Sequence, residues 1–462
     1  MTIWKPELKD GKGPKYRQIA DAISEAVEAG ILNPGTRLTP HRILAYELGI
    51  SPNTTSRAYA ECVNRGLLYG ETGRGTFVKI PRKDLDRSQG LGRAQGPVDF
   101  SRNLPFPGPG AAHLASTLSQ LGASHDLQVF LDYQTGDGHL KHHLEAGKNW
   151  LNRTGVKASN EEIVITNGAQ HGIFTTLMSV TCPGDTIVTE KLTYSPIRLM
   201  AKRLGLKLRT VEMDDEGLNP DALDRACSAS QVKVVYLTPT IQTPTTITMG
   251  EDRRKAIAAL ARRHNLILIE DDVYGPLRPE LVVPLVELAP ERTIYMSSCS
   301  KCLAPGLRVA FLRAPDTMVR SLRQAVALSC WMVPPLMSEV ASRWIVDGTA
   351  SLLTEAQRSN AAERQVAAKK ILDGYIFRAD PHGFHLWLTL PSHWQSDIFC
   401  REAERRGVIL SSGHIFAPDN RFDPGAVRIN LSHEPDQNRV MAGLEVLAEL
   451  LKEEDRQGVM VL

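Results

Sequence analysis

Two hydrophobic patterns divide the chain. Over residues 14–78, apolar side chains recur at helical spacing and then occupy two short runs. From about residue 98, continuous apolar runs alternate with segments of helical pattern. Buried parallel strands are apolar on both faces, so the second pattern predicts an α/β domain with a mostly parallel sheet. The first predicts a small helical domain that ends in a hairpin.

The helical region predicts a winged helix-turn-helix. Ser51 is a good N-cap for a third helix, and Pro52 follows it at the first helical position. Two short strands come next, separated by residues 71–75, which can turn tightly and present an arginine. Such a domain places one helix in the major groove and its wing on the adjacent backbone. The side chains expected to face DNA are Arg42, Asn53, Thr54, Arg57 and Arg74. A solvated polar face is the alternative interpretation.

The predicted domains are residues 1–80, a linker over 81–97, and residues 98–462. The linker lacks an apolar period and is rich in Gly, Arg and Gln. Apolar runs within the large domain predict strands at residues 163–165, 186–188, 232–237, 266–269 and 293–296. Further runs at 384–388 and 426–431 predict a small C-terminal α+β subdomain.

Composition narrows the class of protein. The chain has 462 residues, of which 42% are hydrophobic and 23% charged, and its net charge is only +2. These values are typical of a globular protein of two or three domains. No apolar run approaches the roughly 20 residues of a membrane span, so no membrane association is expected. Seven scattered cysteines, an odd number, indicate reduced thiols and a cytoplasmic location.

The stretch Ser297–Arg308 carries the most specific chemistry. Lys301 follows an apolar strand and lies among hydroxyls, seven residues before Arg308. A partly desolvated lysine can form a Schiff base with an aldehyde, and serines with an arginine can hold a phosphate. This combination predicts pyridoxal 5'-phosphate (PLP). Cys299 and Cys302 flank the lysine with C-x-x-C spacing, for which zinc binding or redox chemistry is a minor alternative.

Other segments fit the same cofactor. The acidic run 270–272 follows a strand, and a carboxylate there can pair with a protonated pyridine nitrogen. Divalent-metal binding by the three acidic residues is the alternative. Tyr274, three residues on, can hydrogen-bond the phenolic oxygen. Residues 166–170 lie between a strand and a helix, where small residues let backbone N–H groups reach a phosphate.

Several isolated residues admit two interpretations each. Tyr194 can stack on a planar ring or belong to the core. Tyr133, in a loop, can reach a phosphate. Arg428 lies among apolar residues and needs an anion, either a ligand carboxylate or a structural Asp or Glu. The spacing of His139, His142 and His143 allows a metal site, but a solvated or lightly packed helix face is favoured.

The first domain resembles the winged-helix domain of GntR-type transcription regulators. The matching segments, in order, are Tyr16-Arg17-Gln18-Ile19, Leu32-Asn33-Pro34-Gly35-Thr36-Arg37-Leu38, Ser51-Pro52-Asn53-Thr54-Thr55, Arg57-Ala58-Tyr59, Arg65-Gly66-Leu67 and Gly73-Arg74-Gly75-Thr76-Phe77-Val78. One departure is Thr55, where that family usually has a valine, and a slight loosening of the third helix is expected there.

Residues 98–462 resemble the fold type I PLP-dependent aminotransferases. The resemblance rests on Gly168-Ala169-Gln170, Thr238-Pro239 through Gln242-Thr243-Pro244-Thr245, Asp271-Asp272-Val273-Tyr274, Ser298-Cys299-Ser300-Lys301 and Leu303-Ala304-Pro305-Gly306-Leu307-Arg308. It implies the following roles: Lys301 as the Schiff-base lysine, Asp271 as the partner of the pyridine nitrogen, Tyr274 as a donor to the phenolic oxygen, Tyr194 as the stacking ring, Ser298, Ser300, Arg308 and the Ala169–Gln170 backbone as the phosphate cup, Tyr133 as a residue lent by a second subunit, and Arg428 as the arginine that holds a substrate α-carboxylate.

One departure concerns the cofactor's electronics. Thr243 lies where these enzymes usually have an asparagine bonded to the phenolic oxygen, and Thr246 replaces a glycine. Threonine is shorter, so PLP binding is expected but efficient transamination is in doubt.

The combination of the two domains resembles the MocR-like transcription regulators. The resemblance implies a head-to-tail homodimer that binds double-stranded operator DNA. The signal is expected to be an amino-bearing effector that displaces Lys301, or PLP itself. Two alternatives remain open, a working aminotransferase with a vestigial DNA-binding domain and a cofactor-free scaffold that only dimerises the winged helices.

Overall fold

The computed structural model describes residues 4, 6, 13–28, 31–32, 36–64, 67–71, 75–78, 96–124, 127–133, 140–419 and 422–453. Contacts divide the chain into two compact units, residues 1–95 and 96–462. Apart from Gly96 and Pro97, the predicted linker lies outside the described residues. The domain boundaries at residues 80 and 97 therefore stay a prediction. None of the described helices combines the length and the apolar character needed to cross a bilayer.

The first unit is a three-helix domain with a hairpin. Its elements are α1 Lys15–Glu28, α2 His41–Glu47, α3 Pro52–Asn64, β1 Leu68–Glu71 and β2 Gly75–Val78. The two strands pair antiparallel. The core comes from one face of each helix and from both strands, and its fully buried members include Ile19, Ile23, Leu44, Ala58, Cys62 and Val78. This is the predicted winged helix-turn-helix.

The start of α3 is fixed by two hydroxyl groups. Ser51 Oγ accepts from the backbone N–H of Thr54 at 3.2 Å, as an N-cap should. Thr55 is fully buried, and its Oγ1 donates to the carbonyl of His41 at 2.8 Å. The hydroxyl that replaces a valine methyl therefore connects α3 to the start of α2. The expected loosening is not supported, because this buried polar group is satisfied.

The second unit alternates strands and helices. Its helices are α4 Gly110–Gly122, α5 Lys141–Asn152, α6 Ala169–Val180, α7 Pro196–Arg203, α8 Pro220–Ala229, α9 Glu251–Arg263, α10 Leu285–Leu288, α11 Cys299–Cys302, α12 Asp316–Cys330, α13 Pro335–Val346, α14 Thr349–Ile371, α15 Ser396–Arg405 and α16 Gln437–Leu451. Its strands are β3 Val98–Asp99, β4 Ile163–Thr166, β5 Thr186–Glu190, β6 Lys207–Val211, β7 Met213–Asp214, β8 Gly217–Leu218, β9 Val234–Leu237, β10 Ile267–Asp271, β11 Thr293–Ser298, β12 Ala310–Arg313, β13 Phe377–Ala379, β14 His385–Thr389, β15 Val408–Ile409, β16 Ser411–Ser412 and β17 Ala426–Asn430.

Seven strands form the large sheet in the order β4-β12-β11-β10-β9-β5-β6. The pairs from β11 across to β6 are parallel, whereas β12 is antiparallel to both of its neighbours. Successive residues of β4 enter different cores, because Ile163 and Ile165 belong to one apolar cluster and Val164 to another. The sheet is therefore covered on both faces, as its apolar strands predict.

A second, antiparallel sheet forms the small C-terminal subdomain. Its order is β13-β14-β17-β16, and its core includes α14, α15 and α16. The short strand β3, at the start of the unit, pairs in parallel with β15 of this subdomain. The predicted α/β fold with a small α+β subdomain is confirmed.

Candidate functional site

A cavity of about 360 Å³ opens beyond the carboxyl ends of β4, β5, β9, β10 and β11. This is where ligands bind in open α/β sheets. The site residues predicted from sequence that line it are Ala169, Gln170, Tyr194, Thr243, Asp271, Tyr274, Ser298, Ser300, Lys301, Arg308 and Arg428. The structure thus brings together every predicted residue of the large domain except Tyr133.

Lys301 enters the cavity from the one-turn helix α11. Ser298 accepts from the backbone N–H of Ser300 at 3.2 Å and so caps this turn directly after β11. Burial and the nearby Arg428 cation lower the pKa of Lys301 to about 7. Its Nζ donates to the backbone carbonyl of Asn103. A lysine with this pKa is largely a neutral, nucleophilic amine at slightly alkaline pH.

Asp271 ends β10 and faces the same cavity. Its Oδ2 accepts from the hydroxyl of Tyr236 at 2.7 Å. Its Oδ1 is buried and has no partner among the described residues. Burial raises the pKa of Asp271 to about 6. An orphaned buried carboxylate oxygen beside a cavity indicates a ligand that brings a donor to it.

The other two carboxylates of this run are engaged elsewhere. Glu270 accepts from the backbone N–H of Val286 at 2.9 Å and lies 3.3 Å from the guanidinium of Arg254. Asp272 accepts from the hydroxyl of Tyr295 at 2.6 Å. The three acidic side chains therefore do not converge, and the alternative of a divalent-metal site is not supported.

Two tyrosines line the cavity wall, Tyr194 and Tyr274. Tyr274 is buried, and its hydroxyl donates to Oδ1 of Asn103 at 2.6 Å. Tyr194 donates to Oε1 of Gln170 at 3.3 Å, and burial raises its pKa to about 12. Both phenols are therefore neutral donors at physiological pH.

One end of the cavity is built to receive an anion. Ser298 and Ser300 hold their Oγ atoms 3.0 Å apart, and Nη1 of Arg308 lies 3.5 Å from Ser300 Oγ. Gly168 precedes α6 with a φ of +80°, and a Cβ there would meet the guanidinium of Arg308 at 2.6 Å. Only glycine leaves room for this arginine beside the amino end of α6, whose first N–H groups lack helical acceptors.

Arg428 is a buried cation with neutral partners only. Its Nη2 donates to the carbonyl of Ser101 at 2.6 Å and to Oγ of Ser411 at 3.2 Å. Its Nε is buried without a partner among the described residues. Its guanidinium lies 4.8 Å from the ring centre of Phe416. No described carboxylate forms an ion pair with it, so of the two interpretations a ligand carboxylate is favoured over a structural Asp or Glu.

Tyr133 lies outside the cavity of its own chain. Its side chain is 72% exposed and contacts the equally accessible Trp331, with ring centres 5.9 Å apart. Residues 134–139, which follow it, lie outside the described residues.

The predicted solvated or lightly packed histidine face is wrong for one residue. His143 is buried, and both His142 and His143 place Nε2 within 3.0 Å of Oε2 of Glu339. Arg343 donates to the other oxygen of Glu339 at 2.7 Å. The Glu339 carboxylate thus contacts both imidazoles and the Arg343 cation. His139 lies outside the described residues.

The paired cysteines are structural. Cys299 and Cys302 are both fully buried in the large apolar cluster, and burial raises the pKa of each thiol, that of Cys302 to about 12. Thiols of this kind stay protonated and unreactive, which argues against zinc or redox chemistry.

The predicted DNA-facing residues are mostly accessible. Arg42, Asn53 and Arg57 are exposed, and Thr54 is half-buried with its hydroxyl 2.9 Å from that of Ser51. The guanidinium of Arg57 lies 4.1 Å from the ring centre of Tyr16. Arg74 lies outside the described residues.

Several cavity residues escaped the sequence interpretation. Ser101 and Asn103 come from an irregular segment after β3, and Ser411 and Phe416 come from the small subdomain. None belongs to a local motif, and only long-range packing brings them to the cavity. The one available signal was their position beside short apolar runs.

Comparisons with known proteins agree with both units. Residues 108–443 match the family model described as aminotransferase class I and II, and residues 15–78 match that of the bacterial regulatory proteins of the gntR family.

Two curated relatives span nearly the whole chain. An uncharacterized HTH-type transcriptional regulator of Bacillus subtilis, YdeF, is 28% identical over 97% of this chain and 96% of its own. The vitamin B6 salvage pathway transcriptional repressor PtsJ of Salmonella typhimurium is 26% identical, over 87% of this chain and 91% of its own.

A solved structure, of a Pyrococcus horikoshii kynurenine aminotransferase in complex with PMP, is 25% identical with a TM-score of 0.71, covering 80% of this chain and 93% of that one. The chain thus belongs to the aminotransferase class I and II family and carries a gntR-family winged helix before that domain, the combination found in MocR-like regulators.

Proposed function

We propose that this protein is a PLP-dependent transcription regulator, in which the aminotransferase-like domain senses an amino-bearing effector, or PLP itself, and alters operator binding by the winged helix. The observation that carries the proposal is the coexistence of two sites on one chain. A lysine-containing cavity lies in the second unit, and a capped, accessible α3 lies in the first. Two relatives that are named as transcriptional regulators align with this chain over 96% and 91% of their own length.

The cavity fits PLP on the observations above. The orphaned Oδ1 of Asp271 would accept from the pyridine nitrogen. Ser298, Ser300, Arg308 and the amino end of α6 would hold the phosphate, at the end where Gly168 leaves space. Tyr194 would lie against the ring. PLP, when bound, supplies an aldehyde that bonds reversibly to primary amines and a ring that accepts electrons.

The chain's own residues set the conditions for this bond. Lys301, with its pKa lowered to about 7, presents a neutral amine at physiological pH without the cost of deprotonating an ordinary lysine. Asp271, once paired with the pyridine nitrogen, would hold a proton at that atom. Nζ of Lys301 lies 5.6 Å from the ring centre of Tyr274, so the lysine and this phenol face the same part of the cavity.

Arg428 would select an effector that bears a carboxylate. The guanidinium has an unused Nε and no ion pair with a described residue. A planar fork of this kind binds a carboxylate through two parallel hydrogen bonds. An effector with an amine near Lys301 and a carboxylate at Arg428 would compete with the lysine for the cofactor. It can shift DNA affinity only by its different affinity for the two states of the protein.

A head-to-tail homodimer completes the proposal. Tyr133 is exposed and lies outside its own chain's cavity, where a residue lent to a second subunit should lie. Leu131, two residues before Tyr133, and Trp331, which contacts the Tyr133 ring, are each more than two-thirds exposed. A second copy would cover these apolar side chains. Two winged helices would then bind one operator.

Arg42, Asn53, Thr54, Arg57 and Arg74 would contact that operator. The three described exposed residues among them lie on α2 and in the first half of α3. In this class of domain, short polar and arginine side chains near the amino end of a helix reach base edges and phosphates.

A working aminotransferase is the second candidate. It is favoured by the presence of Lys301, Asp271, Tyr274 and Arg428 in one cavity. Thr243 counts against efficient turnover, because its hydroxyl bonds no described residue and is shorter than the usual amide.

The experiment uses the full-length protein loaded with PLP. DNA fragments are first selected by the protein from a random pool, and their affinity is measured with and without PLP and a panel of amino acids. The regulator predicts an affinity change that follows the visible spectrum of the cofactor and disappears in Lys301→Ala. Rapid keto-acid formation with no change in DNA affinity would instead support the enzyme.

A further inference from the structure

A chain of hydrogen bonds from Asn430 through Asn103 to Tyr274 fixes the orientation of the Asn103 amide, which no sequence motif identified. Asn430, the last residue of β17, accepts through Oδ1 from the backbone N–H groups of Ser432 at 3.1 Å and His433 at 2.9 Å. Backbone N–H groups can only donate. The other side-chain atom of Asn430 must therefore be its Nδ2, a donor.

The orientation of Asn103 follows from that of Asn430. Nδ2 of Asn430 lies 3.1 Å from the side-chain atom of Asn103 that faces it, so this atom must be the acceptor Oδ1. The hydroxyl of Tyr274 lies 2.6 Å from the same Oδ1 and must donate to it. The two backbone donors to Asn430 therefore set the amide orientation at both positions.

This orientation has two consequences, one for the hydroxyl proton of Tyr274 and one for Nδ2 of Asn103. The proton of Tyr274 is committed to Asn103, so in this arrangement the phenol has no proton for a ligand. Asn103 lines the cavity together with Lys301 and Tyr274, and no described residue accepts from its Nδ2. The free donor of this network is thus the Asn103 amide.

Position 243 lacks an amide of its own. Thr243 lies in the wall of the same cavity and makes no side-chain hydrogen bond to a described residue. Asn103 also accepts, through its backbone carbonyl, from Nζ of Lys301. One residue therefore contacts the phenol and the lysine, and carries the amide donor that is missing from position 243.

We propose that Asn103 is a positioning residue for the cofactor's phenolic oxygen: its Oδ1 holds Tyr274, and its Nδ2 donates to that oxygen in place of the amide absent from position 243. The inference rests on the proposed binding of PLP and concerns how this chain tunes it. Asn430 acts through Asn103, since it fixes which atom of the amide faces the cavity.

The test follows the pH midpoint at which the visible band of the PLP-loaded protein titrates. A hydrogen-bond donor draws electron density from the phenolic oxygen of PLP. This oxygen then stabilises the proton on the nearby lysine nitrogen less strongly. Loss of that donor should raise the midpoint. Asn103→Leu removes both amide functions without adding a charge, whereas Asn103→Asp keeps an acceptor for Tyr274 and Asn430, removes the donor and adds a negative charge that raises the midpoint further. Each variant is expected to raise the midpoint by about one pH unit or more.

Two further variants make the result specific. Thr243→Asn, introduced into the Asn103→Asp protein, should lower the midpoint again, while in the wild-type background it should have a smaller effect because the donor is already present. Asn152→Leu, at the exposed end of α5, is the matched control and should leave the midpoint unchanged.

The outcomes separate this inference from the proposed function. A visible band in the wild type with an unchanged midpoint in both Asn103 variants would overturn the role of Asn103 and leave PLP binding intact. A wild-type protein that gives no band with PLP would overturn the proposed function and this inference with it. A raised midpoint that Thr243→Asn reverses is the expected result.

Discussion

The guanidinium of Arg428 donates to the backbone carbonyl of Ser101 at 2.6 Å, although the two residues are 327 positions apart. Ser101 belongs to the first described segment of the second unit, which enters the unit by pairing β3 with β15. The carbonyl neutralises no charge, so burial still lowers the pKa of Arg428, to about 10. A ligand carboxylate would supply the anion that the protein does not.

The first prediction compares two amines that differ in a carboxylate. In the PLP-loaded wild type, alanine should change the visible spectrum at concentrations at least about tenfold lower than ethylamine, because a charge-assisted fork adds roughly 1.5–3 kcal/mol. Arg428→Leu should remove this preference without removing the band itself. Titration followed by absorbance measures both.

A surface variant controls for the loss of a positive charge. Arg401→Leu, at an exposed position of α15, should retain the preference for alanine. Equal responses to the two amines in the wild type would contradict the role of Arg428 as a carboxylate receptor.

The second prediction concerns the pH dependence of cofactor capture. The folded pKa of Lys301 is lowered to about 7, so its neutral fraction rises steeply between pH 6 and 8. The initial rate at which apo-protein develops the PLP band should rise over the same window and then level off. Stopped-flow absorbance at a fixed PLP concentration checks this. A rate that keeps rising up to pH 10 would indicate an ordinary solvated lysine.

The third prediction concerns Glu190, a fully buried carboxyl at the end of β5. Its Oε2 accepts from Nε2 of Gln242 at 3.1 Å, and its Oε1 has no partner among the described residues. Burial raises its pKa from 4.5 to about 7. The folded protein therefore binds more protons at this site than the unfolded chain, and the stability that this gives is complete below pH 4.5 and lost as pH rises through 7.

Glu190→Gln removes the ionisation and keeps the shape. Relative to wild type, the variant should gain on the order of 2 kcal/mol in free energy of unfolding between pH 4.5 and pH 8. Urea unfolding of both proteins at the two pH values measures this difference. Glu404→Gln, at an exposed position of α15, should show no such gain. A gain of the same size in both variants would refute the role of burial.

The fourth prediction concerns how Arg57 is presented to DNA. Its guanidinium lies 4.1 Å from the ring centre of Tyr16, which limits its conformations. Arg57→Ala should weaken operator binding by about 1–3 kcal/mol and leave the cofactor spectrum unchanged. Tyr16→Leu should weaken binding by a smaller amount, whereas Tyr16→Phe, which keeps the ring, should not. Fluorescence anisotropy with a selected DNA fragment distinguishes these variants, and an equal loss in both Tyr16 variants would rule out the ring contact.

Local patterns predicted the parts of the fold that depend on local physics. The apolar runs at 163–165, 266–269 and 293–296 coincide with β4, β10 and β11, because strands buried on both faces are apolar throughout. Asp271 and Lys301 could be placed in one site because each follows such a strand. The antiparallel strand β12, which lies between β4 and β11, was not predicted. Strand order depends on pairing between distant segments and leaves no local period.

The same reason explains the residues that were missed. Asn103 and Asn430 are hydrogen-bonded across 327 positions, and Glu339 joins His142 and His143 from another helix. An asparagine in an irregular segment has no pattern of its own. Its importance follows only from the groups that the fold brings to it, here Tyr274 and Lys301.

The central claim is tested most directly by the site of covalent attachment. Apo-protein is incubated with PLP, reduced with borohydride, digested and analysed by mass spectrometry. The account predicts a single phosphopyridoxyl group on the peptide that contains Lys301, and none in Lys301→Ala. A reduced wild-type protein without that mass on Lys301, or with the label spread over exposed lysines, would contradict it.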